Sequence, residues 1–526
     1  MAPTIHSDET KILIAGAGPT GLVLALWLTR LGVPVRIVDK TSEPGTTSRA
    51  LAVQARTLEF YGQLGFADKV VEQGRWATEA NMWVGGRRAA HISFDGMGSE
   101  VSPYPYPLIY PQDEHERLLI ERLSELGVTV ERQTEVVSFE EAGDRVQVKL
   151  RKPDGSEETC AVEYLAGCDG ARSTTREQLG IGFPGGTYEH LFYVADVQAT
   201  GQAVNGDLNI ALERSDFLVV FPLKSEGRAR FIGTVKDNPR KDEELSWESV
   251  NKGVVESLRT EVQRVNWFST YRVHHRVADR FRKGRSFLLG DAAHIHSPVG
   301  GQGMNTGIGD AVNLAWKLAA VLQGRARASL LDTYEPERIA FARRLVATTD
   351  RAFTTVTSSG PLARLIRLRV VPVLVPLLFS SRVVRRLLFR TVSQVNVNYR
   401  ASSLSRGRVG AVHAGDRLPW VKTGADATTL GCGGPNSVGE DNFAPLKSLE
   451  WQLHVYGEAA PEVRALSLEQ KLPLHVFPWR AEMKQSGLRR NALYLVRPDG
   501  YIAVAVDGNC AETVRSYLAE LGLSSV

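Results

Sequence analysis

Three groups of residues in this 526-residue chain have types and spacings that suit chemistry. The first is Gly16-Ala17-Gly18-Pro19-Thr20-Gly21, followed eighteen residues after Gly21 by Asp39. Its first glycine permits a tight turn, its second lets a pyrophosphate approach the backbone, and its third lets a helix pack closely on a strand. A carboxylate at Asp39 suits hydrogen bonds from ribose hydroxyls. The second group is Cys168-Asp169-Gly170-Ala171-Arg172-Ser173, which alone reads as an Asp-Gly turn. The third is Gly290-Asp291-Ala292-Ala293-His294, then Pro298-Val299-Gly300-Gly301-Gln302-Gly303-Met304-Asn305. An acid at a strand end ahead of a glycine-rich helix start can hold a polyol and cradle an electron-rich ring.

The flanking elements decide how much these patterns mean. Lys11 to Ala15 is an apolar run of buried-strand type, Leu22 to Leu31 has helical apolar spacing, and Val35 to Val38 is a second strand ending at Asp39. A GxGxxG alone is weak and can be a glycine-rich turn; with strand, helix and acid in place it predicts dinucleotide binding by Gly16, Gly18, Pro19, Gly21, Asp39 and the adjoining Lys40. Leu165 to Gly167 and Ser286 to Leu289 predict strands leading into the second and third groups, and a long helix runs from the third through Asp310, Asn313 and Trp316-Lys317. Ser48-Arg49-Ala50 follows the ribose-binding strand, where a lone arginine would ordinarily be a solvated surface residue.

In order and spacing, these three groups resemble the group A flavoprotein monooxygenases, the p-hydroxybenzoate hydroxylase-like family that extends to phenol and aromatic polyketide hydroxylases. The resemblance covers about residues 10 to 345. It implies an α/β fold: a Rossmann-like FAD-binding domain with an interleaved sheet substrate domain. It assigns the ADP half of FAD to the first motif, FAD and nicotinamide binding to Asp169-Gly170, and the ribityl chain to Asp291. Arg49 and Gln112, the latter within Tyr110-Pro111-Gln112-Asp113-Glu114, match a flavin-contacting arginine and glutamine. Pro298 matches a proline whose carbonyl lies near substrate and would accept a phenol hydrogen bond; the plainer reading is a proline bounding a loop. From about Tyr399 the chain resembles the thioredoxin-like C-terminal domain of the longer members, through Gly415-Asp416-Arg417-Leu418-Pro419 and Leu495-Val496-Arg497-Pro498-Asp499-Gly500-Tyr501. Where the family usually reads Ala-Trp-Arg after this motif, the chain has Ala503-Val504-Ala505. Without a CxxC that domain is expected to be structural.

The implied chemistry is hydroxylation of an apolar aromatic molecule, phenolic or polyketide-like, through a C4a-hydroperoxyflavin, with NADPH or NADH and O2 as co-substrates. Backbone N–H groups of Gly303, Met304 and Asn305 at a helix N-terminus would stabilise negative charge at the flavin N1/C2 carbonyl. No histidine among His274, His275, His294 and His296 has a visible partner, so no catalytic base is assigned. Baeyer-Villiger insertion and non-oxygenating flavin chemistry are the alternatives, because fold alone does not fix function. The halogenase WxWxIP motif is absent.

Domain boundaries are expected at 1–75, 111–184 and 281–398 for the FAD domain, with a helical extension near 340–398. The substrate domain is expected at 76–110 and 185–280, and the C-terminal domain at 399–526. Alternating segments around Phe217, Phe221 and Phe231 predict a sheet above the flavin, with these three as candidate pocket residues, although buried aromatics are more often core.

Composition excludes other classes. A net charge of +4 without a basic, aromatic-studded block argues against nucleic acid. Four cysteines without CxxC pairing indicate neither zinc nor a disulfide framework, and fit a reducing cytoplasm. The uncharged stretch Ile12 to Thr29 reads as strand, turn and helix rather than a signal anchor. From Arg351 to Gly415 there is no Asp or Glu, while Arg364, Arg367, Arg369, Arg382, Arg385, Arg386 and Arg390 flank the apolar run Val370 to Phe379. The expectation is a helix pair packed on the FAD domain, with weak peripheral membrane contact through 361–390 as the alternative. A homodimer is left open, as are substrate identity, site of oxidation and nicotinamide preference.

Overall fold

The computed structural model describes residues 10–45, 50–213, 217–235, 245–297, 300–357, 360, 365–424, 428–430, 436–437 and 441–523. The glycine-rich segment forms a strand-turn-helix unit. Strand Ile12–Ala15 is wholly buried and pairs in parallel with Val35–Val38 on one side and Tyr164–Gly167 on the other. Ser286–Leu288 continues the parallel order, and a six-stranded sheet results. Burial on both faces explains why these strands read as unbroken apolar runs. The helix Pro19–Arg30 follows the turn, buried from Gly21 to Leu28, because the long helix Gly303–Leu322 packs over it. Glycines permit that approach: a Cβ at Gly307 would run into Thr20 and the Gly290 Cα.

A second, eight-stranded sheet takes strands from Glu79–Val84 and Arg87–Ser93 and from the segment between Gly185 and Val277. Two long antiparallel strands, Gly185–Gly201 and Thr260–Val277, form its spine, and His294–Ile295 joins its edge, linking the sheet to the third motif. The two faces are chemically distinct. Leu218, Val220, Ala229 and Phe231 face the short helix Lys252–Ser257 and form a closed core with Tyr193 and Val255. Phe221, of opposite parity, faces the other way, against Leu51, Ala77, Ile109 and Leu223.

The C-terminal sheet has Gln452–Tyr456 parallel to Leu474–Phe477, then Leu493–Val496 and Ile502–Val506 antiparallel, with helices Pro461–Glu469 and Ala511–Leu521 interposed and following. That is the βαβ, ββα order of a thioredoxin-like domain. It is wired to the FAD domain by buried charges. Arg497 donates to Glu337 at 2.8 Å and to Asp499 at 2.6 Å, Lys317 reaches Glu337 at 2.8 Å, and the Trp316 indole donates to Asp499 at 3.1 Å. A second group joins Arg417 and Arg56 to Glu59, at 2.7 and 2.8 Å. The domain therefore docks through Arg497 and Asp499, ahead of the divergent Ala503-Val504-Ala505.

The basic, apolar segment departs from expectation. Helix Val371–Ser380 lays Val371, Val375 and Phe379 against Ala80, Met82 and Ile92 of the substrate sheet, not against the FAD domain. An edge strand with apolar residues on alternate positions offers a larger dry surface than the already covered parallel sheet. Only Phe389, on the next helix, Arg382–Val392, reaches the FAD domain, beside Ala55.

Candidate active site

The three motifs lie side by side: Gly16 backs on to Cys168 and Asp169, and Gly290 and Gly307 approach Thr20. Gly16 has φ of 105°, and a Cβ there or at Gly21 would run into the Cys168 and Gly16 carbonyls respectively, so both are required by the turn itself. Gly18 is different: φ is −75° and no protein atom lies within 4 Å of a Cβ built on it. Nothing in the polypeptide demands glycine here, so the vacant approach to the backbone suits a ligand. The helix it begins has no side-chain cap and no acid in its first turn, leaving amide donors and the positive end of the helix dipole facing that space. Open space at Gly18 and an uncapped helix start suit the pyrophosphate of a dinucleotide such as FAD.

Asp39 braces the loop: one carboxylate oxygen accepts the Ala17 N–H at 2.7 Å, the other the Thr41 N–H at 2.8 Å, with lone pairs left for ribose hydroxyls. Pro19 opens the helix and Lys40 is exposed. Asp169 proves to be a brace as well. Its oxygens accept from Ser173 Oγ at 2.5 Å and from the Thr175 N–H and hydroxyl at 2.9 Å, holding the start of helix Thr174–Gln178. In the turn that Asp169 holds, Gly170, at φ 78°, has open space beside it. Asp291, by contrast, presents an exposed carboxylate on the turn Gly290–Ala292.

The long helix Gly303–Leu322 starts beside the segment Ala52 to Thr57. Thr306 makes the first helical bond, to the Gln302 carbonyl at 2.9 Å, so the N–H groups of Gly303, Met304 and Asn305 precede the helical ladder. The Asn305 side chain is a clamp that sequence reading missed. It accepts from the Gln54 N–H at 2.9 Å and Thr57 Oγ1 at 2.7 Å, and donates to the carbonyls of Ala52 at 2.9 Å and Gly301 at 2.8 Å. Gln112 works nearby, donating to Glu116 at 2.7 Å, while Glu116 accepts from the Gly45 N–H at 3.0 Å. Arg49 and Pro298 lie outside the described residues, as does the Phe217 side chain.

Behind the third motif, Asp310 accepts from the Gly290 N–H at 3.0 Å, His294 Nε2 at 2.7 Å and Arg338 Nε at 2.6 Å. Against the cost of burial, Arg338 and His294 hold its carboxyl below the usual range. The signal for this network was present in sequence: Asp310, Asn313 and Lys317 are polar residues at i, i+3 and i+7 on an otherwise apolar helix. His296 was passed over too. Its Nδ1 bonds the Ser297 carbonyl at 2.9 Å, which makes Nδ1 the donor and leaves Nε2 a lone-pair acceptor. Nε2 is buried with no hydrogen-bond partner among the described residues, the ring lies 3.7 Å from a Cβ position at Gly303, and burial pushes the imidazole down to about 4, keeping it neutral.

Of the candidate pocket aromatics, Phe221 packs where the eight-stranded sheet meets Leu51, just ahead of strand Ala52–Val53. Phe231 does not reach that junction. It pairs across with Val220, whose parity is opposite to Phe221, and is fully buried in the core behind the sheet. The shared aromatic character hid a register that puts the two on opposite faces.

Residues 9–349 match the family model described as FAD binding domain. The chain is 34% identical over 542 residues to 6-methylpretetramide 4-monooxygenase of Streptomyces rimosus, covering 98% of this chain and 94% of that protein. It is 34% identical over 533 residues to a flavin-dependent monooxygenase of Mycobacteroides abscessus, covering 97% and 99%. Among solved structures, the anhydrotetracycline hydroxylase OxyS of Streptomyces rimosus superposes with a TM-score of 0.76 at 28% identity, over 98% of this chain and 99% of that one.

Proposed function

The chain belongs to the FAD binding domain family and is a flavin-dependent monooxygenase that hydroxylates an aromatic small molecule with NAD(P)H and O2; on that premise we propose that its substrate is an extended polycyclic phenol. The observation that supports this reading is that Gly18 stands open to a ligand while the end of helix Gly303–Leu322 is hydrogen-bonded to the segment just after Leu51, against which Phe221 packs. The relatives named for pretetramide and anhydrotetracycline support a fused-ring substrate.

Gly16, Gly18, Pro19 and Gly21 hold the pyrophosphate of FAD, Asp39 its adenosine ribose, with Lys40 at the rim, and Asp291 the ribityl chain. Arg49 and Gln112 flank the ring system, and the Asp169-Gly170 turn contributes backbone. When bound, FAD supplies the redox chemistry, accepting hydride from NAD(P)H and activating O2. The protein's own work is placement. Amides of Gly303, Met304 and Asn305 stabilise negative charge on the ring system. His296 Nε2 accepts a hydrogen bond from the substrate phenol, drawing its proton away and raising electron density on the ring to be hydroxylated; the Pro298 carbonyl would be a second acceptor, as the family resemblance implies. Phe221 walls the substrate side.

Among the described residues no helix is long and apolar enough to cross a membrane. A cytoplasmic site of action is part of the proposal and suits a nicotinamide requirement. Of the macromolecular contacts left open, we favour peripheral membrane contact through 361–390 over a homodimer built on that face, where arginines would meet their own copies.

The test is turnover under 18O2 with a panel of single-ring and fused-ring phenols, reading product mass and NAD(P)H consumed. One heavy oxygen in a fused-ring product, coupled to nicotinamide oxidation, is the expected result. Preference for single-ring phenols would sink the substrate class, and nicotinamide oxidation without labelled product would sink the hydroxylation at that site.

A further inference from the structure

Among the described residues, nine of the twelve large hydrophobic side chains exposed to solvent fall between Leu365 and Leu387. On helix Val371–Ser380 they occupy i, i+1, i+4 and i+5: Val373, Leu374, Leu377 and Leu378. The opposite face, Val371, Val375 and Phe379, is the one packed on the substrate sheet. The helix is therefore apolar on both sides, and its inner packing accounts for only half of its sequence. Val383 and Leu387 extend the exposed strip on to helix Arg382–Val392, where Val383 is 77% exposed. Isolated exposed apolar residues need no explanation, but a contiguous strip of this kind marks an interaction surface.

The charges around the strip indicate what covers it. Arg369, Arg382 and Arg390 are exposed beside it, and the chain carries no Asp or Glu from 351 to 415. A two-fold pairing of this face with itself would set arginine against arginine with no acid in the segment to relieve it. A layer of acidic headgroups over hydrocarbon meets both requirements, because an interfacial helix sinks its apolar face to about 5–10 Å while flanking arginines reach phosphates. We infer that this face docks on an anionic phospholipid surface.

Docking sets the substrate sheet beside the bilayer, since the inner face of the same helix covers Ala80, Met82 and Ile92. Resting on the reading of that sheet as the substrate layer, an apolar fused-ring substrate dissolved in the membrane reaches the active site without crossing bulk water. The surface itself stands whether or not that reading holds.

Co-sedimentation of the FAD-loaded chain with phosphatidylcholine vesicles, with and without phosphatidylglycerol, tests the docking at low and high salt. The expected result is binding that requires phosphatidylglycerol, weakens with salt, and falls at least tenfold in the triple variant Arg369→Gln, Arg382→Gln, Arg390→Gln, about fivefold being expected per arginine held at the surface. Val373→Ser with Leu377→Ser, both on exposed positions, should lower binding at unchanged melting temperature and FAD content. No sedimentation at low salt, equal binding to uncharged vesicles, or a dimer in analytical ultracentrifugation that these serine variants dissociate would each overturn the inference. Because sedimentation reads binding alone, its failure is separable from any failure of hydroxylation.

Discussion

At Gly18 a side chain would meet no protein atom, whereas at Gly21 it would run into the Gly16 carbonyl. The two glycines therefore answer to different constraints, one to ligand approach and one to the fold. Gly18→Ala is expected to keep the apoprotein within about 1 kcal/mol of its stability, since it only alters an N-cap, while FAD affinity falls about tenfold or more. Gly21→Ala should instead reduce the yield of folded chain. Fluorescence titration of apoprotein with FAD, beside thermal melts, separates the two. At His296 the argument is chemical. His296→Phe keeps the ring's bulk and removes Nε2, so kcat on a phenol is expected to drop about a hundredfold with FAD content unchanged. Nitro-substituted phenols, already ionised near neutral pH, should lose far less. An equal loss on both substrates would assign His296 a packing role only.

Elements rather than residues decide how the site keeps its shape, and here the Asn305 clamp joins the helix Gly303–Leu322 to the start of helix Ala55–Leu64 through Gln54 and Thr57. Asn305→Ala leaves buried donors and acceptors unpaired, a cost of about 1–3 kcal/mol, and should appear as FAD lost during gel filtration. The C-terminal domain has its own clamp. Burial alone would raise the Glu337 carboxyl, but Arg497 and Lys317 hold it well below the usual range; Arg497→Ala leaves Glu337 to Lys317 and deprives the buried Asp499 of its paired guanidinium, at about 3–5 kcal/mol. Limited proteolysis should then release residues beyond Tyr399 before the FAD domain is cut; simultaneous loss of both would contradict a separable domain. These clamps mark the limit of what sequence can tell. Gly16, Gly18, Gly21 and Asp39 were legible because local backbone geometry and a short spacing dictate them. Glu337 and Arg497 are separated by 160 residues, and no local propensity announces such a pair. Phe231 misled for a related reason: face depends on register, which composition does not encode. The helix Val371–Ser380 was recognisable as apolar and basic, yet its choice of the substrate sheet over the FAD domain depended on which edge remained uncovered.

Across the whole molecule, buried histidines couple folding to pH. Burial lowers His115 to about 3, His296 to about 4 and His475 to about 4, and holds His454 well below its ordinary value, with His475 adding to the effect. In the unfolded chain each would titrate near 6.5. Between that value and the folded ones, the unfolded state binds protons that the native state refuses, so stability falls as pH falls through this window, by up to ~1.4 kcal/mol per pH unit for each histidine. The buried carboxylates act lower down. Asp310, Glu59 and Glu337 have folded values below their ordinary ones, so their contribution is intact above about 4.5 and is lost only below it. Two acid transitions are thus expected in urea midpoints measured from neutrality downward, a histidine-driven decline starting near 6.5 and a carboxylate-driven one below 4.5. His454→Gln, which retains hydrogen-bonding capacity beside Gln452 and Tyr456, should make the first decline shallower by one histidine's share and leave the second in place. A midpoint that stays level from neutrality to pH 5 would mean that the native state takes up these protons, and that the four imidazoles are better solvated than their burial implies.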